Sequence, residues 1–132
     1  MAAKKGTGLL MVWADVPADK EDDFNRWYNE EHMAERLSVP GFLDAARYEA
    51  VKNGPKHLAC YELESPAVLE SPAYKRVQAN PTPWTKRRSP DVIGYRSRIW
   101  ILEEIIRHAR AKAGVWFATH AQVVDWAQRH AG

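Results

Sequence analysis

The pattern of hydrophobic and polar positions divides the chain into short strands and longer helices. Residues 8–16 are hydrophobic at both odd and even positions, which is typical of a strand covered on both faces. Pro17 and Asp19 end this run, and Asp19 is predicted to cap a helix that continues to about Leu37. Pro40 and Gly41 then stop the helix, because neither residue continues one readily.

The hydrophobic stripe of this helix contains a histidine. Phe24, Tyr28 and His32 are spaced i, i+4 and i+8, so they share one helix face, and Trp27 and Glu31 lie on the adjoining row. A helix that only packs against a core would carry Leu or Ile at position 32. An imidazole there is either a buried, hydrogen-bonded polar group or a working acid or base, and the sequence leaves both readings open.

The middle of the chain predicts a hairpin and a second helix. Residues 42–51 and 57–64 are strand-like and are separated by a turn at 52–55. A helix is predicted over 66–79 and a loop over 80–90. The order β-α-β-β-α supplies five of the six elements of a ferredoxin-like unit, so an α+β fold is predicted.

The sixth element should be a strand, and residues 93–100 alternate in a way that suits one. The competing interpretation is a loop that leads into a helix. Beyond it, helices are predicted over 101–112 and 120–130, with a brief strand at 115–118. We therefore divide the chain into a domain of residues 1–100 and a C-terminal extension of residues 101–132. The extension is too hydrophobic to stay in water and is expected to pack on the domain or on a partner subunit.

Composition excludes several classes of function. A chain of 132 residues with 45% hydrophobic and 27% charged residues is expected to form an ordinary globular core. The net charge of +2 is too small to indicate nucleic acid, and no segment reads as a signal peptide or membrane span. Cys60 is the single cysteine, so no internal disulfide can form. We expect a cytoplasmic protein without nucleic-acid or membrane partners.

Residues 8–91 resemble a known family. The segments FNRWYNEEHMAERLSVPGF, ARYEAV, LACYELESPAVLESPAY and NPTPW occur in the order and spacing of the EthD-like branch of the dimeric α/β-barrel superfamily. The resemblance implies a βαββαβ unit, a homodimer in which two sheets form one barrel, and a small, often aromatic ligand held beside the sheet. The family's recurring histidine falls on His32. Ala34 departs from the family, where proline often occurs.

Residues 92–132 resemble a second, different protein family. The segment VIGYRSRIWILEEIIRHARAKAGVWFATHAQVVDW is similar to the C-terminal end of a polysaccharide deacetylase (NodB-like) domain. That chemistry requires an aspartate pair and a His-x-x-x-His metal site. No two of the five histidines here are four positions apart, so no metal site is predicted and deacetylase activity is not supported. The chain therefore resembles an α/β-barrel subunit fused to a deacetylase-like extension.

Three candidate site residues lie on the first helix and the second strand. His32 is the predicted general acid or base. Tyr28, one turn earlier, either shares a hydrogen-bond network with His32 or is a packed helix aromatic. Arg47 either binds a carboxylate or phenolate group or pairs with Glu49 or Glu62 on an exposed face.

Three further candidates lie elsewhere. Trp13 and Asp15 share one face of the first strand and could line an aromatic-binding pocket, although core packing would also explain Trp13. Trp84 lies in the predicted proline-rich loop, where an aromatic residue tends to cover a site or to bury at a subunit contact.

These residues predict a homodimeric α/β-barrel protein that binds a small molecule. In the enzyme hypothesis it is a cofactor-independent lyase, isomerase or oxygenase, in which His32 moves a proton on an aromatic or polyketide-like substrate. In the alternative, the barrel is a non-catalytic module for dimerisation and ligand sensing. His32 alone could serve as an axial haem ligand, but the chain carries no further haem signature, so no cofactor is predicted.

Overall fold

The computed structural model describes residues 6–113 and 120–130, and these form an antiparallel sheet covered by helices. Strands β1 (Gly8–Asp15), β2 (Phe42–Glu49), β3 (His57–Leu63) and β4 (Ile93–Ile101) are arranged in the order β2-β3-β1-β4. Helices connect β1 to β2 and β3 to β4, so the predicted α+β, ferredoxin-like βαββαβ fold is confirmed.

The helical connections are more segmented than the hydrophobic pattern predicted. Between β1 and β2, α1 (Glu21–Trp27) runs into a π-helical turn (Tyr28–His32) and then into α2 (Met33–Leu37). Between β3 and β4 lie a 3₁₀ turn (Pro66–Glu70), α3 (Pro72–Ala79) and α4 (Pro83–Arg88). The chain continues into α5 (Leu102–Arg110) and α6 (His120–His130). Within the described residues, none of the helices has the length and hydrophobicity to cross a bilayer.

The core lies between these helices and one face of the sheet, which we call the helix-facing side. Tyr61, Phe24 and Leu63 are its largest fully buried side chains. Alternation along each strand sends the neighbouring residues to the other face. That outer face carries Leu9, Met11 and Trp13 from β1, which pair across the strands with Glu62, Cys60 and Leu58 of β3.

Residues 93–100 form a strand, and the loop interpretation is wrong. β4 pairs with β1 along its length, with one irregularity opposite Ala14. Gly94 lies there with φ +62°, a left-handed conformation that favours glycine and is typical of a β-bulge. Tyr95 has the same parity along β4 as Ser97 and Ile99, which pair with Val12 and Leu10. It therefore lies on the helix-facing side, where it lines a cavity.

The predicted loop at 80–90 is also wrong, because residues 83–88 form α4. Thr82 caps this helix by accepting the backbone N–H of Thr85 at 3.1 Å, and Pro83 occupies the first turn, where its missing N–H costs nothing. The predicted helix at 66–79 is split in the same way. Ser71 supplies the side-chain cap of the helical part.

The C-terminal extension contains the two predicted helices, and the strand predicted at 115–118 lies outside the described residues. Arg107, His108 and Ala109 of α5 share a cavity of about 860 Å³ with Met11 and Trp13 of the outer face. The helix therefore lies beside the outer face and leaves space between them.

Candidate functional site

A cavity of about 330 Å³ lies between the helices and the helix-facing side of the sheet. This volume is at the low end of the range for small-molecule pockets. Its floor is formed by alternate residues of β1, namely Leu10, Val12 and Ala14. The remaining lining comes from helices, β3 and β4, and is largely aromatic: Phe24, Trp27, Tyr28, His32, Arg36, Tyr61, Tyr74, Gln78, Thr85, Ser89, Val92 and Tyr95.

The π-helical turn positions His32 against Trp27. The two rings stack with centroids 4.2 Å apart, although the residues are five positions apart in sequence. An α-helix brings residues i and i+4 into contact, whereas the wider π-turn brings i and i+5 together. The Tyr28 ring meets His32 edge-on at 5.1 Å. Trp27 is held in turn by a hydrogen bond that its Nε1 donates to Thr85 Oγ1, at 3.2 Å.

His32 is neutral at physiological pH. Its side chain is buried, and this burial, assisted by the Arg36 guanidinium, lowers the pKa of the imidazole from 6.5 to about 3. The Nδ1 atom is buried and has no hydrogen-bond partner among the described residues. Such a nitrogen can bind a ligand atom, and it can accept a proton once a ligand supplies a compensating negative charge.

Two buried phenols and a guanidinium accompany the imidazole. Burial raises the pKa values of Tyr28 and Tyr61, so both hydroxyls remain protonated and can donate hydrogen bonds. Arg36 Nη1 is likewise buried without a hydrogen-bond partner within the described part of the chain, and the buried Tyr61 hydroxyl interacts with the Tyr28 hydroxyl. The Arg36 guanidinium also lies over the Tyr74 ring, 5.4 Å from its centroid.

Arg47 lies close to this site and supports it without lining the cavity. It donates hydrogen bonds to Asn25 Oδ1 at 2.7 Å and to Asn29 Oδ1 at 3.2 Å. Its guanidinium lies 4.4 Å from the Tyr28 ring centroid and 5.6 Å from that of Phe24. In the structure two side-chain amides are the hydrogen-bond partners of Arg47, and the binding of a ligand carboxylate or phenolate by Arg47 stays a prediction.

Trp13 and Asp15 are not brought together with His32. They lie on the outer face, because residues of opposite parity on β1 point to opposite sides of the sheet. Trp13 lines the cavity beside α5 and a smaller one with Pro55. Asp15 Oδ1 accepts the backbone N–H of Lys56 at 2.7 Å, which ties β1 to the turn before β3.

Trp84 lies in α4 rather than in a loop, and it packs against the edge of the core. Its Nε1 donates a hydrogen bond to Asp23 Oδ2 at 3.3 Å, and Arg26 lies 5.8 Å from its ring centroid. These contacts join α4 to α1. Trp84 is not among the residues that line the cavity, whereas its neighbour Thr85 and Trp27 are.

Several cavity residues were not identified from the sequence. Arg36 follows His32 by four residues, so the helical spacing that singled out His32 also places Arg36 on the same side. Tyr61 follows Ala59 by two residues on β3, and strand alternation directs both inward. Tyr95 alternates with Ser97 and Ile99 along β4, so its side of the sheet also follows from strand alternation, whereas the position of Tyr74 depends on how α3 packs.

A second cluster of ionisable groups joins the start of α1 to the β2–β3 hairpin. His57 Nε2 lies 3.0 Å from Glu21 Oε1, and His57 Nδ1 lies 3.9 Å from Glu49 Oε1. Ligand atoms of these three residues lie within 4.8 Å of one another, a grouping that the histidine spacing did not predict. Lys56 Nζ lies 2.5 Å from Glu21 Oε1 and lowers the pKa of that carboxyl, so the cluster contains its own cation.

Neither a family model nor a curated protein matches this chain. The resemblances to EthD-like proteins and to the end of a deacetylase domain therefore stay predictions.

Solved structures share the fold at low sequence identity. The haem degrader MhuD of Mycobacterium tuberculosis, as an R26S mutant with two manganese protoporphyrins per active site, is 17% identical with a TM-score of 0.55. The match covers 70% of this chain and 91% of that one. A putative monooxygenase from Shewanella loihica is 16% identical, with a TM-score of 0.53. The match covers 72% of this chain and 92% of that one. At these identities the comparison establishes a ferredoxin-like fold.

MupZ from Pseudomonas fluorescens matches a larger part of the chain. It is 10% identical with a TM-score of 0.54, and the match covers 89% of this chain and 98% of that one. A share of this size cannot be supplied by the residues up to Ile101 alone. The similarity of fold therefore extends into the C-terminal extension.

Proposed function

We propose that the chain is a homodimeric enzyme that binds a compact aromatic or polyketide-like molecule in the cavity beside His32. The reaction class that we favour is cofactor-independent oxygenation. A lyase or isomerase reaction is the alternative, and it would use the same proton transfer. The observation that carries the proposal is the placement of His32. Its Nδ1 is buried, lacks a partner among the described residues and borders a cavity with aromatic walls.

The proposed chemistry follows from the state of the imidazole. A neutral imidazole accepts protons, so His32 would withdraw a proton from a substrate O–H or C–H group. Tyr28 and Tyr61 would donate hydrogen bonds to the oxygen on which negative charge develops. Arg47 would hold the Tyr28 ring through the contact at 4.4 Å. Trp84 would support the wall that contains Trp27, and Trp13 and Asp15 would belong to the outer face.

One observation favours the non-catalytic alternative. His32 is stacked on one aromatic ring and meets another edge-on, and a pKa of about 3 makes its free imidazole a weak base. A ligand-sensing module would have the same walls and would bind without turnover. Parallel measurements of binding and turnover separate these two functions.

The homodimer is proposed from the outer face. Leu9, Met11, Trp13, Leu58 and Cys60 are each only partly buried there. A sheet face with this many hydrophobic side chains is commonly covered by another layer. The sheet of a second copy would cover part of the outer face, and α5 would cover another part.

The function is tested by incubating the protein in air with a panel of hydroxylated one- and two-ring aromatic compounds. Oxygen uptake and product mass are followed, and binding is measured by calorimetry. We expect turnover of at least one compound and a loss of at least about 100-fold in His32→Gln, because general acid–base catalysis contributes that much.

His108→Gln is the matched control, since His108 is exposed on α5. Equal activity in wild type and His32→Gln would contradict the assigned role. Binding without turnover across the panel would establish the sensing module instead.

A further inference from the structure

We infer that the ligand of the cavity is an aromatic anion, whose carboxylate or phenolate group is bound by Arg36 and Tyr61. The inference rests on the proposed function, because it concerns the same cavity. It adds the charge of the ligand and the residues that recognise it.

The charge of the cavity lining favours an anion. Among the described residues that line the cavity, Arg36 is the one with a formal charge at neutral pH, and no carboxylate lines it. The Arg36 side chain is only 16% exposed. A guanidinium held away from water at a cavity wall attracts an anion more strongly than an exposed one, because the surrounding dielectric constant is lower.

Arg36 itself has an unused donor. Its Nη1 lies 3.5 Å from Glu35 Oε1, yet it makes no hydrogen bond with that carboxylate and is buried. Burial raises the pKa of the Glu35 carboxyl, and the nearby Arg36 charge opposes this shift. A ligand oxygen that accepted from Nη1 would make a charge-assisted hydrogen bond, which is about twice as strong as a neutral one.

Other buried polar atoms border the same cavity. His32 Nδ1 has no hydrogen-bond partner among the described residues, and the Tyr61 hydroxyl interacts with that of Tyr28. Unsatisfied buried polar atoms are uncommon in folded proteins, because burying a polar group without a partner is unfavourable. Arg36 Nη1 and His32 Nδ1 together indicate a ligand with a polar end that satisfies both atoms. A phenol that stays protonated is suited to donate to an anionic oxygen.

The hydrophobic walls suit the rest of such a ligand. Beyond the polar atoms the walls are rings of Phe24, Trp27, Tyr74 and Tyr95, above a floor of aliphatic side chains. Aromatic walls favour flat hydrophobic ligands through stacked and edge-on contacts. An anionic oxygen near His32 would also favour protonation of the imidazole, which would make that residue a better base in the complex than in the free protein.

The test compares acids with neutral amides of the same shape. Benzoate and benzamide, and 1-naphthoate and 1-naphthamide, are titrated by calorimetry into wild type, Arg36→Gln and Arg36→Lys. We expect wild type to bind each acid at least ten-fold more tightly than its amide. Arg36→Gln should lose this preference while binding the amide within about three-fold of wild type, and Arg36→Lys should retain part of it.

Arg26→Gln is the matched control, because Arg26 is exposed and pairs with Glu30 at 3.1 Å. It should keep the full preference. A second measurement uses the His32 imidazole resonances: benzoate should raise the His32 pKa and benzamide should not.

The outcomes separate the two proposals. If acids and amides bind wild type equally, the inference of an anionic ligand is wrong, but the proposal that the cavity binds an aromatic molecule is retained. If the preference survives in Arg36→Gln, the anion is bound elsewhere. If none of the four compounds binds, both the inference and the proposed function fail. If Arg36→Gln does not fold, the acid-to-amide affinity ratios of wild type and Arg36→Lys are compared instead. A smaller ratio in Arg36→Lys supports the inference, and an equal ratio contradicts it.

Discussion

The two faces of the sheet are built from the same strands and differ in what covers them. On the helix-facing side, Leu10, Ala14, Tyr61 and Leu63 are all at least nine-tenths buried under the chain's own helices. On the outer face, the intervening residues of β1 and β3 are largely hydrophobic but only partly buried. Alternation along a strand thus directs one set of side chains into the buried core and the other set to the partly buried outer face.

The two faces also differ in the chemistry that they can support. His32, Tyr61 and Arg36 border the cavity on the helix-facing side, and His32 Nδ1 and Arg36 Nη1 have no hydrogen-bond partner among the described residues. The outer face borders a larger cavity of about 860 Å³ beside α5, and its hydrophobic residues are suited to contacts with another protein layer. We therefore assign ligand binding to one face and assembly to the other.

The largest predicted effect is the contrast between Leu63→Ala and Leu58→Ala. Leu63 is fully buried in the core, so its truncation should cost about 3–5 kcal/mol of unfolding free energy. Leu58 is only partly buried on the outer face, and its truncation should cost about 1 kcal/mol. Urea denaturation measures both. Equal costs would mean that the outer face is as well packed as the core.

Removal of the C-terminal extension after Ile101 tests whether it covers the outer face. Loss of α5 would expose Met11 and Trp13 further, so we expect a loss of roughly 2 kcal/mol and weaker dimerisation. A shortened chain that ends at Ala113 and retains α5 is the control for shortening itself. An unchanged melting temperature and dimer affinity after removal would show that the extension contributes nothing.

His32 should make the helix-facing side sensitive to acid. Its pKa is about 3 in the folded state and 6.5 in the unfolded state, so only the unfolded state binds the proton in this interval. The contribution is complete above pH 6.5 and is lost as the pH falls towards 3, by roughly 2 kcal/mol at about pH 5. His32→Gln should flatten this part of the profile, whereas His108→Gln should not. If the free energy of unfolding changed with pH in the same way in wild type and His32→Gln, His32 would not be a buried neutral imidazole.

The smallest predicted effect concerns assembly. Met11→Glu places a charge on the outer face and should weaken a homodimer about ten-fold, or roughly 1.4 kcal/mol, while leaving ligand binding unchanged. Light scattering over a concentration series measures the dissociation. Thr7→Glu, on an exposed residue before β1, is the control. If wild type is a monomer at micromolar concentration, the assignment of the outer face to dimerisation is wrong.

Much of the fold could be predicted because it depends on local periodicity. The strands and the helix around His32 follow from alternation and from the i, i+4 pattern, and β4 follows from its own alternation. The errors occurred where capping residues outweigh hydrophobic pattern. Residues 83–88 have a weak pattern, but Thr82 and Pro83 are sufficient to start a helix there.

The position of the imidazole on the inward face of the first helix follows from the chain's local pattern, because side-chain direction depends on the helical repeat. What surrounds that imidazole depends on the folded structure. The π-turn stacks His32 on Trp27, the pairing of β4 with β1 brings Tyr95 to the same cavity as Tyr61, and burial sets the protonation of the imidazole. The lining and the burial depend on contacts between residues far apart in the chain, and the dielectric surroundings of a side chain exist only once those contacts have formed.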